Sequence, residues 1–346
     1  MRRLLNTLYV TTEGAWIRKD GANIVVEVEG SERGRLPVHM LESLVCLGRM
    51  MVSPQLLGYC AEQGICVSFL SPNGRFLARM EGPVSGNVLL RREQYRRSDE
   101  SSRCAALVRN LLTGKVHNQR AVIGRALRDH GTSLAPEVRA ALEQVRKGLR
   151  RIIIRLREEA SLEVLRGLEG DAARAYFGVY GHLVRVDLGE HAFNGRNRRP
   201  PRDPVNALLS FLYTLLTHDC RSALETVGLD PAVGFLHRDR PGRPSLALDL
   251  VEELRPVVAD RLALTLLNRK QLTRRDFIFL DNGAVLLEEG ARKTLLSAYQ
   301  ERKREMVQHL FFEEQAPLGL FPLLQAQLLA RHLRGDLDAY PPCLWR

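Results

Sequence analysis

Four side chains of this sequence could serve divalent-metal chemistry: Glu169, His237, Asp249 and Glu252. The first lies in a segment where Leu165, Glu169, Ala172 and Tyr176 recur at i, i+4, i+7 and i+11. A helix there puts a carboxylate on an apolar stripe, flanked by Gly167 and Gly170, where another backbone could approach closely. A buried carboxylate needs an arginine, a metal or a shared proton. The alternative is a glutamate at the margin of the stripe with its tip in water. His237 ends the apolar approach Gly234-Phe235-Leu236 and opens a loop holding Arg238, Arg240, Pro241, Gly242, Arg243 and Pro244. That loop is neither helix nor central strand. A lone histidine is more often structural or on the surface, but this one borders a rigid basic loop and a helix follows at once.

The helix is Leu246 to Leu254. Leu246, Ala247, Leu250, Val251 and Leu254 span about 140° of its circumference, the core stripe. Asp249 and Glu252, three apart, stack on a neighbouring face, close enough to serve one ion; the ordinary alternative is a solvated acidic face. Taken together, the carboxylates and one imidazole form a hard oxygen set suited to Mn²⁺ or Mg²⁺ rather than a structural zinc site, which favours cysteine. Among arginines, such an ion suits phosphodiester chemistry: it polarises a phosphoryl oxygen, helps ionise the attacking hydroxyl and neutralises developing charge. No P-loop, no GxGxxG after a strand, and no GxSxG, HExxH or EF-hand pattern appears, so the chemistry runs without bound ATP.

The elements that must position these groups change in texture along the chain. Leu4 to Val10, Asn23 to Glu29, Glu42 to Leu47, Ile65 to Leu70 and Arg75 to Met80 read as short strands, bounded by turn signals that include Asp20-Gly21, Glu29-Gly30 and Asn73-Gly74. One helix interrupts them, opened by Ser53-Pro54 and closed at Gly64. Beyond Gly82-Pro83 the apolar residues recur at helical spacing, as in Leu142, Val145, Leu149, Ile152 and Ile153. The expected fold is therefore α+β: a small β-domain over residues 1–82 and a larger all-α domain over 83–346. Residues 189–204 interrupt the helices and read as an exposed basic loop carrying Arg196, Arg198, Arg199 and Arg202.

Charge follows the same division. The 346 residues hold 51 Lys+Arg and 40 Asp+Glu, a net charge of +11. Nine of those basic and eight of those acidic residues precede position 83, so nearly the whole excess belongs to the helical part. Only six of the basic residues are lysine. Arginine matches phosphate with a planar fork, so a polyanion partner is expected; codon preference explains arginine over lysine but not the uneven distribution. The longest apolar run, near Ala207 to Leu216, is broken by Ser210 and Thr214, whereas a spanning helix needs about 20 apolar residues. There is no signal-peptide pattern. Six scattered cysteines without a CxxC pair fit reduced, buried thiols and a cytoplasmic location.

Four ordered stretches carry a family resemblance. They are Leu168-Glu169-Gly170 with Ala172-Ala173-Arg174 and Tyr176-Phe177; Arg198-Arg199-Pro200-Pro201 with Asp203 to Ser210; Gly228-Leu229-Asp230-Pro231 through His237; and Pro244 through Pro256. Over essentially its whole length the sequence resembles the CRISPR-associated adaptation integrase/endonuclease, the first of the CRISPR-associated protein families, in a style similar to the subtype I-C branch. The resemblance implies an N-terminal β-domain that makes dimer and partner contacts, and a helical catalytic, DNA-binding domain. It implies a homodimer, two of which flank a dimer of a small ferredoxin-like second CRISPR-associated protein in a heterohexamer-type complex. It implies metal ligation by Glu169, His237 and Glu252 with Asp249 beside them. Many members have Asp where this chain has Glu252, which leaves open how the ligand work divides among Asp249, Glu252 and Glu253.

The implied activity is metal-dependent insertion of short foreign DNA fragments into a CRISPR array, the fragment 3′-hydroxyl attacking a phosphodiester of the repeat. Water in place of that hydroxyl gives cleavage. Arg238, Arg240 and Arg243 are expected to hold DNA near the metal, and Arg196, Arg198, Arg199 and Arg202 to do so less locally. The competing reading is a non-catalytic basic scaffold or regulator whose acidic residues merely solvate a helix.

Overall fold

A computed structural model describes residues 7–41, 43–72, 76–80, 88–158, 161–197 and 199–345. The strand starts expected at Leu4, Glu42 and Arg75, the Asn73-Gly74 turn, the Gly82-Pro83 junction and Arg198 lie outside the described residues. The chain forms two compact units, Met1–Ser85 and Gly86–Arg346.

The first unit holds two four-stranded sheets. In one, β2 (Trp16–Asp20), β3 (Asn23–Val28) and β4 (Ser31–Pro37) form an antiparallel meander, with β6 (Met51–Val52) parallel to β2 at the edge. Glu29 and Gly30 join β3 to β4 with φ of 51° and 74°, the positive pair that a two-residue I′ turn requires. In the other, β1 (Thr7–Val10), β5 (Ser43–Leu47) and β7 (Cys66–Leu70) run parallel, and β8 (Phe76–Arg79) closes the sheet antiparallel. The helix expected after Ser53 is α1 (Pro54–Glu62), its first turn capped by the Ser53 hydroxyl, which accepts from the Leu56 amide at 3.3 Å. Its buried Leu56 and Cys60 join Ile17, Ile24, Leu44, Cys46 and Val67 in one core. Strands β2, β4 and β6 have no counterpart in the sequence reading. Mostly exposed β4, Ser-Glu-Arg-Gly-Arg-Leu-Pro, lacks an alternating apolar face and is ordered by its pairing with β3.

The second unit is predominantly helical: α2 (Val88–Asp99), α3 (Ser101–His130), α4 (Pro136–Glu158), α5 (Leu162–Tyr180), α6 (Pro204–Thr226), α7 (Ser245–Arg255), α8 (Arg261–Asn268), α9 (Glu289–Arg304) and α10 (Phe321–Arg334). Two small hairpins interrupt the helical part, β9 (Phe277–Phe279) with β10 (Val285–Leu287) and β11 (Met306–His309) with β12 (Glu314–Pro317). Apolar periodicity did not mark strands this short. Helix α3 is central, packing against α4, α5 and α7, while α6 covers α7 and α10. Pro256 lacks the amide that would continue α7. The chain stays helical there as a π-turn, Pro256–Asp260, before entering α8.

Two expectations, one about a loop and one about a helix, need correction. The segment after Gly195 is not a free basic loop: buried Asn206 fastens it to α6. Its Oδ1 accepts from Arg196 at 2.5 Å and from the Asn197 amide at 3.1 Å, and its Nδ2 donates to the Gly195 carbonyl at 2.9 Å. Nor do Gly167 and Gly170 admit another backbone, because a Cβ on either would meet nothing within 4 Å. All six cysteines are free; five are buried and Cys66 is half-buried. Burial pushes the Cys46 thiol up to about 12, a structural rather than a reactive environment.

Candidate active site

The carboxylates and the imidazole that the sequence singled out come together inside the second unit, carried by α5, α7 and the loop that leads into α7. Helix α5 starts at Ser161, whose hydroxyl accepts from the Val164 amide at 3.5 Å, and buries Leu165, Ala172 and Tyr176. Glu169, on the same stripe, is half-buried and faces α3. On α7 the acidic face is not solvated. Asp249, Glu252 and Glu253 are all buried, at 0%, 3% and 0% exposure.

Both oxygens of Asp249 are engaged by the loop before α7. Oδ2 accepts from the Phe235 and Leu236 amides at 2.6 and 3.0 Å; Oδ1 accepts from the His237 amide at 3.0 Å and from the imidazole Nδ1 at 2.6 Å. The carboxylate therefore shapes the loop and fixes the ring, with Nε2 facing Oε1 of Glu252 at 3.9 Å. Gly234 makes this possible: a Cβ there would stand 2.8 Å from that of Ser245 and 2.9 Å from Oδ2 of Asp249. Asp249 is thus a positioning residue.

Two cations missed in the sequence reading complete the cluster. Lys115 of α3, 1% exposed, pairs with Glu169 and also reaches Oε2 of Glu252 at 2.6 Å. The second contact is a close ion pair, in which the ammonium charge holds that oxygen. Arg255, one turn along α7, donates to Oε1 of Glu252. Burial by itself raises the Glu252 pKa, but the Arg255 guanidinium and the Lys115 ammonium outweigh it and hold the group below the ordinary range. Behind Arg255, the Tyr213 ring lies 4.8 Å from its guanidinium and 5.2 Å from that of Arg196. Tyr213 in turn donates to Asp260 at 2.6 Å, and burial pushes that carboxyl up to about 6. A signal for Lys115 existed in the sequence: it lies seven residues after Val108 and four after Leu111, on the buried stripe of α3.

A divalent ion would find suitable donor types here: two carboxylates held by cations and an imidazole nitrogen 3.9 Å from one of them. Among the described residues no three His, Cys, Asp or Glu side chains stand close enough to chelate an ion as they are. A lysine ammonium lies between two of the carboxylates instead.

The cluster opens on a cleft of about 280 Å³ lined by Glu169, His237, Leu236, Arg166, Arg238, Arg240 and Arg243. Arg166 donates to the Leu236 carbonyl at 2.9 Å, and Arg166 and Arg238 both hold exposed Glu163. The other basic group is not brought to this cleft. Arg199 and Arg202 are exposed but do not line it, and Arg196 is turned inward onto Asn206, Ser210 and Tyr213. Its guanidinium therefore braces this segment against α6. Among the described residues no helix is long and apolar enough to cross a membrane.

Residues 8–301 match the family model described as CRISPR associated protein Cas1. Over the full length of both chains, the sequence is 60% identical to the CRISPR-associated endonuclease Cas1 2 of Rhodospirillum rubrum. Two solved structures share the fold. A casposase bound to integration product superposes with a TM-score of 0.83 at 20% identity, covering 99% of this chain and 94% of that one. A chain of a Cas6-RT-Cas1–Cas2 complex gives 0.81 at 21% identity, covering 98% of this chain and 36% of that one.

Proposed function

The chain belongs to the Cas1 family of CRISPR-associated endonucleases, and from that premise we propose that Glu169, His237 and Glu252 bind Mn²⁺ or Mg²⁺ and act on DNA phosphodiesters during CRISPR adaptation. The observation that carries this reading is the burial of Glu252 between two cations, Lys115 at 2.6 Å from Oε2 and Arg255 on Oε1, beside the His237 ring. Buried carboxylates of this kind are not the solvated acidic face that a mere DNA-binding scaffold would need. A bound divalent ion would supply Lewis acidity toward a phosphoryl oxygen. The protein does the rest by placement. Asp249 holds the His237 ring, Arg255 holds Glu252, and Arg238, Arg240 and Arg243 line the cleft where a phosphate backbone would enter. Attack by a fragment 3′-hydroxyl exchanges one phosphodiester for another and needs no nucleotide energy; attack by water cleaves.

The partners follow from the geometry of insertion. Joining both ends of a fragment requires one reaction on each strand at opposite ends of a repeat, so the working assembly holds at least two copies. Residues 1–82 are nearly neutral and expose Trp16 and Met51, paired neighbours on β2 and β6. This face suits contact with a second copy and with a Cas2-type partner better than contact with DNA. The test is Mn²⁺-dependent cleavage and strand transfer by the purified chain, with and without that partner. Loss of both activities in EDTA and in Glu169→Ala, with DNA binding retained, is expected. Near-normal integration by well-folded Glu169→Ala would overturn the site.

A further inference from the structure

We propose that Lys115 is a resident counter-cation of this site: its ammonium occupies the position of a divalent ion between Glu169 and Glu252, keeps the metal-free site in shape, and must yield on metal loading. The inference rests on the metal reading above. Lysine is rarely buried, and here it lies mid-helix among Val108, Leu111, Leu112 and Val116 with 1% exposure. Its partners come from two other helices, Glu169 of α5 and Glu252 of α7, so a single ammonium closes the gap between three elements. Without it the buried Glu252 and the half-buried Glu169 would face the same space with no cation between them, an arrangement that like-charge repulsion disfavours. The second buried lysine ion pair is of a simpler kind. Lys303, 4% exposed, meets one carboxylate, Asp219, at 2.9 Å.

If Glu169 and Glu252 held a divalent ion of Mg²⁺ size, the ion would take the space that the ammonium fills between them. The flexible four-carbon stem of lysine lets Nζ withdraw, which the fixed fork of an arginine would not do as readily. The competition costs metal affinity, while the ammonium keeps the two carboxylates near one another, so that only a local closing of the ligands is needed when the ion arrives.

The experiment compares the purified full-length chain with Lys115→Met, Lys303→Met and Glu169→Ala. It measures Mn²⁺ affinity by titration of the free-Mn²⁺ paramagnetic signal, and melting temperature in EDTA and in saturating Mn²⁺. Lys115→Met should bind Mn²⁺ at least about tenfold tighter than the wild type, melt roughly 5 °C or more lower in EDTA, and recover most of that loss in Mn²⁺. Lys303→Met should lose the same stability in both conditions. Equal or weaker Mn²⁺ binding by Lys115→Met, or a loss that Mn²⁺ does not recover, overturns the proposal. Unchanged Mn²⁺ binding by Glu169→Ala instead overturns the metal site itself. Should Lys115→Met fail to fold, Lys115→Met/Glu252→Gln removes the repulsion and should restore folding in EDTA; no rescue again overturns the proposal.

Discussion

Glu252 and Glu253 are consecutive residues of one helix, both fully buried, and their surroundings are opposite. Glu252 faces Lys115, Arg255 and the His237 ring. Glu253 faces the other side of α7, where every partner is neutral: the Tyr340 hydroxyl, Gln325 at 3.0 Å and the Cys343 amide at 2.8 Å. The consequence is a split in acidity. Cations hold Glu252 below the usual carboxylate range, whereas burial pushes Glu253 up to about 7 although all three neutral donors oppose it. Burial alone favours the protonated acid, and neutral hydrogen bonds only partly reverse that. The Glu252 side is a charged site open to a cleft. The Glu253 side is a clasp for the last residues of the chain, reinforced by Asn118, which donates to the Glu253 and Cys343 carbonyls at 2.7 and 2.9 Å.

The largest expected effect tests whether chemistry belongs to one side only. Glu252→Gln should lower Mn²⁺-dependent cleavage by at least about a thousandfold, as should His237→Ala, and the two losses should not add because the groups work as one unit. Glu253→Gln should keep activity within about threefold. A collapse of activity in well-folded Glu253→Gln would erase the distinction.

Each side also has a glycine that allows the close approach. Gly234→Ala would press on Asp249 and displace the His237 loop, and Asp249→Asn would release the ring. Each should reduce activity by about 10–100-fold, as measured by strand nicking, and Gly234→Ala should also lower the melting temperature, because its Cβ would stand 2.9 Å from the Ser245 backbone. A Cβ at Gly114 would lie 3.0 Å from Oε2 of Glu253 and 3.1 Å from Pro342. Gly114→Ala should therefore loosen the clasp and lower the melting temperature while specific activity is kept. The reverse pattern would exchange the two roles.

The acidity split itself can be read from stability in EDTA. The Glu253 acid is stronger in the unfolded chain, near 4.5, than in the folded one, near 7, so the folded state retains the proton longer. Its contribution is fully present below about pH 4.5 and is lost as pH rises toward 7, by at most about 3 kcal/mol. Glu252 has the opposite sign: its contribution is present above 4.5 and is lost as pH falls. Denaturant titrations should show Glu253→Gln gaining on the wild type between pH 5 and 8, and Glu252→Gln should show no such gain. A flat difference for Glu253→Gln would mean that the carboxyl is not held protonated.

The smallest effect concerns the rim. Replacing Arg238, Arg240 and Arg243 together by alanine should weaken DNA binding for all sequences and make the salt dependence shallower by about 0.9 for each phosphate no longer neutralised. The same measurement on Arg196→Ala should show reduced stability and an unchanged slope, since Arg196 points inward.

The sequence by itself determined the elements that local chemistry specifies. Ser53-Pro54 starts α1, the helical stripes from Leu89 onward build the second unit, and the spacing of Asp249 and Glu252 puts them on α7. It also marked Glu169, His237, Asp249 and Glu252 as candidates, because a carboxylate on or beside an apolar stripe, or an imidazole at the end of an apolar run, stands out from the pattern; the ligand set among them came from the family resemblance. Tertiary structure alone decided what those groups do. Asp249 and Glu252 are equivalent by helical spacing, yet one is consumed by backbone amides of a loop thirteen residues upstream and the other by cations from α3 and α7. Lys115 lies 54 residues before Glu169, and no local pattern links them. Helical periodicity fixes the direction in which a side chain leaves its own helix. Which partner meets it depends on packing between distant segments, and in a dry interior that partner sets charge state, orientation and role.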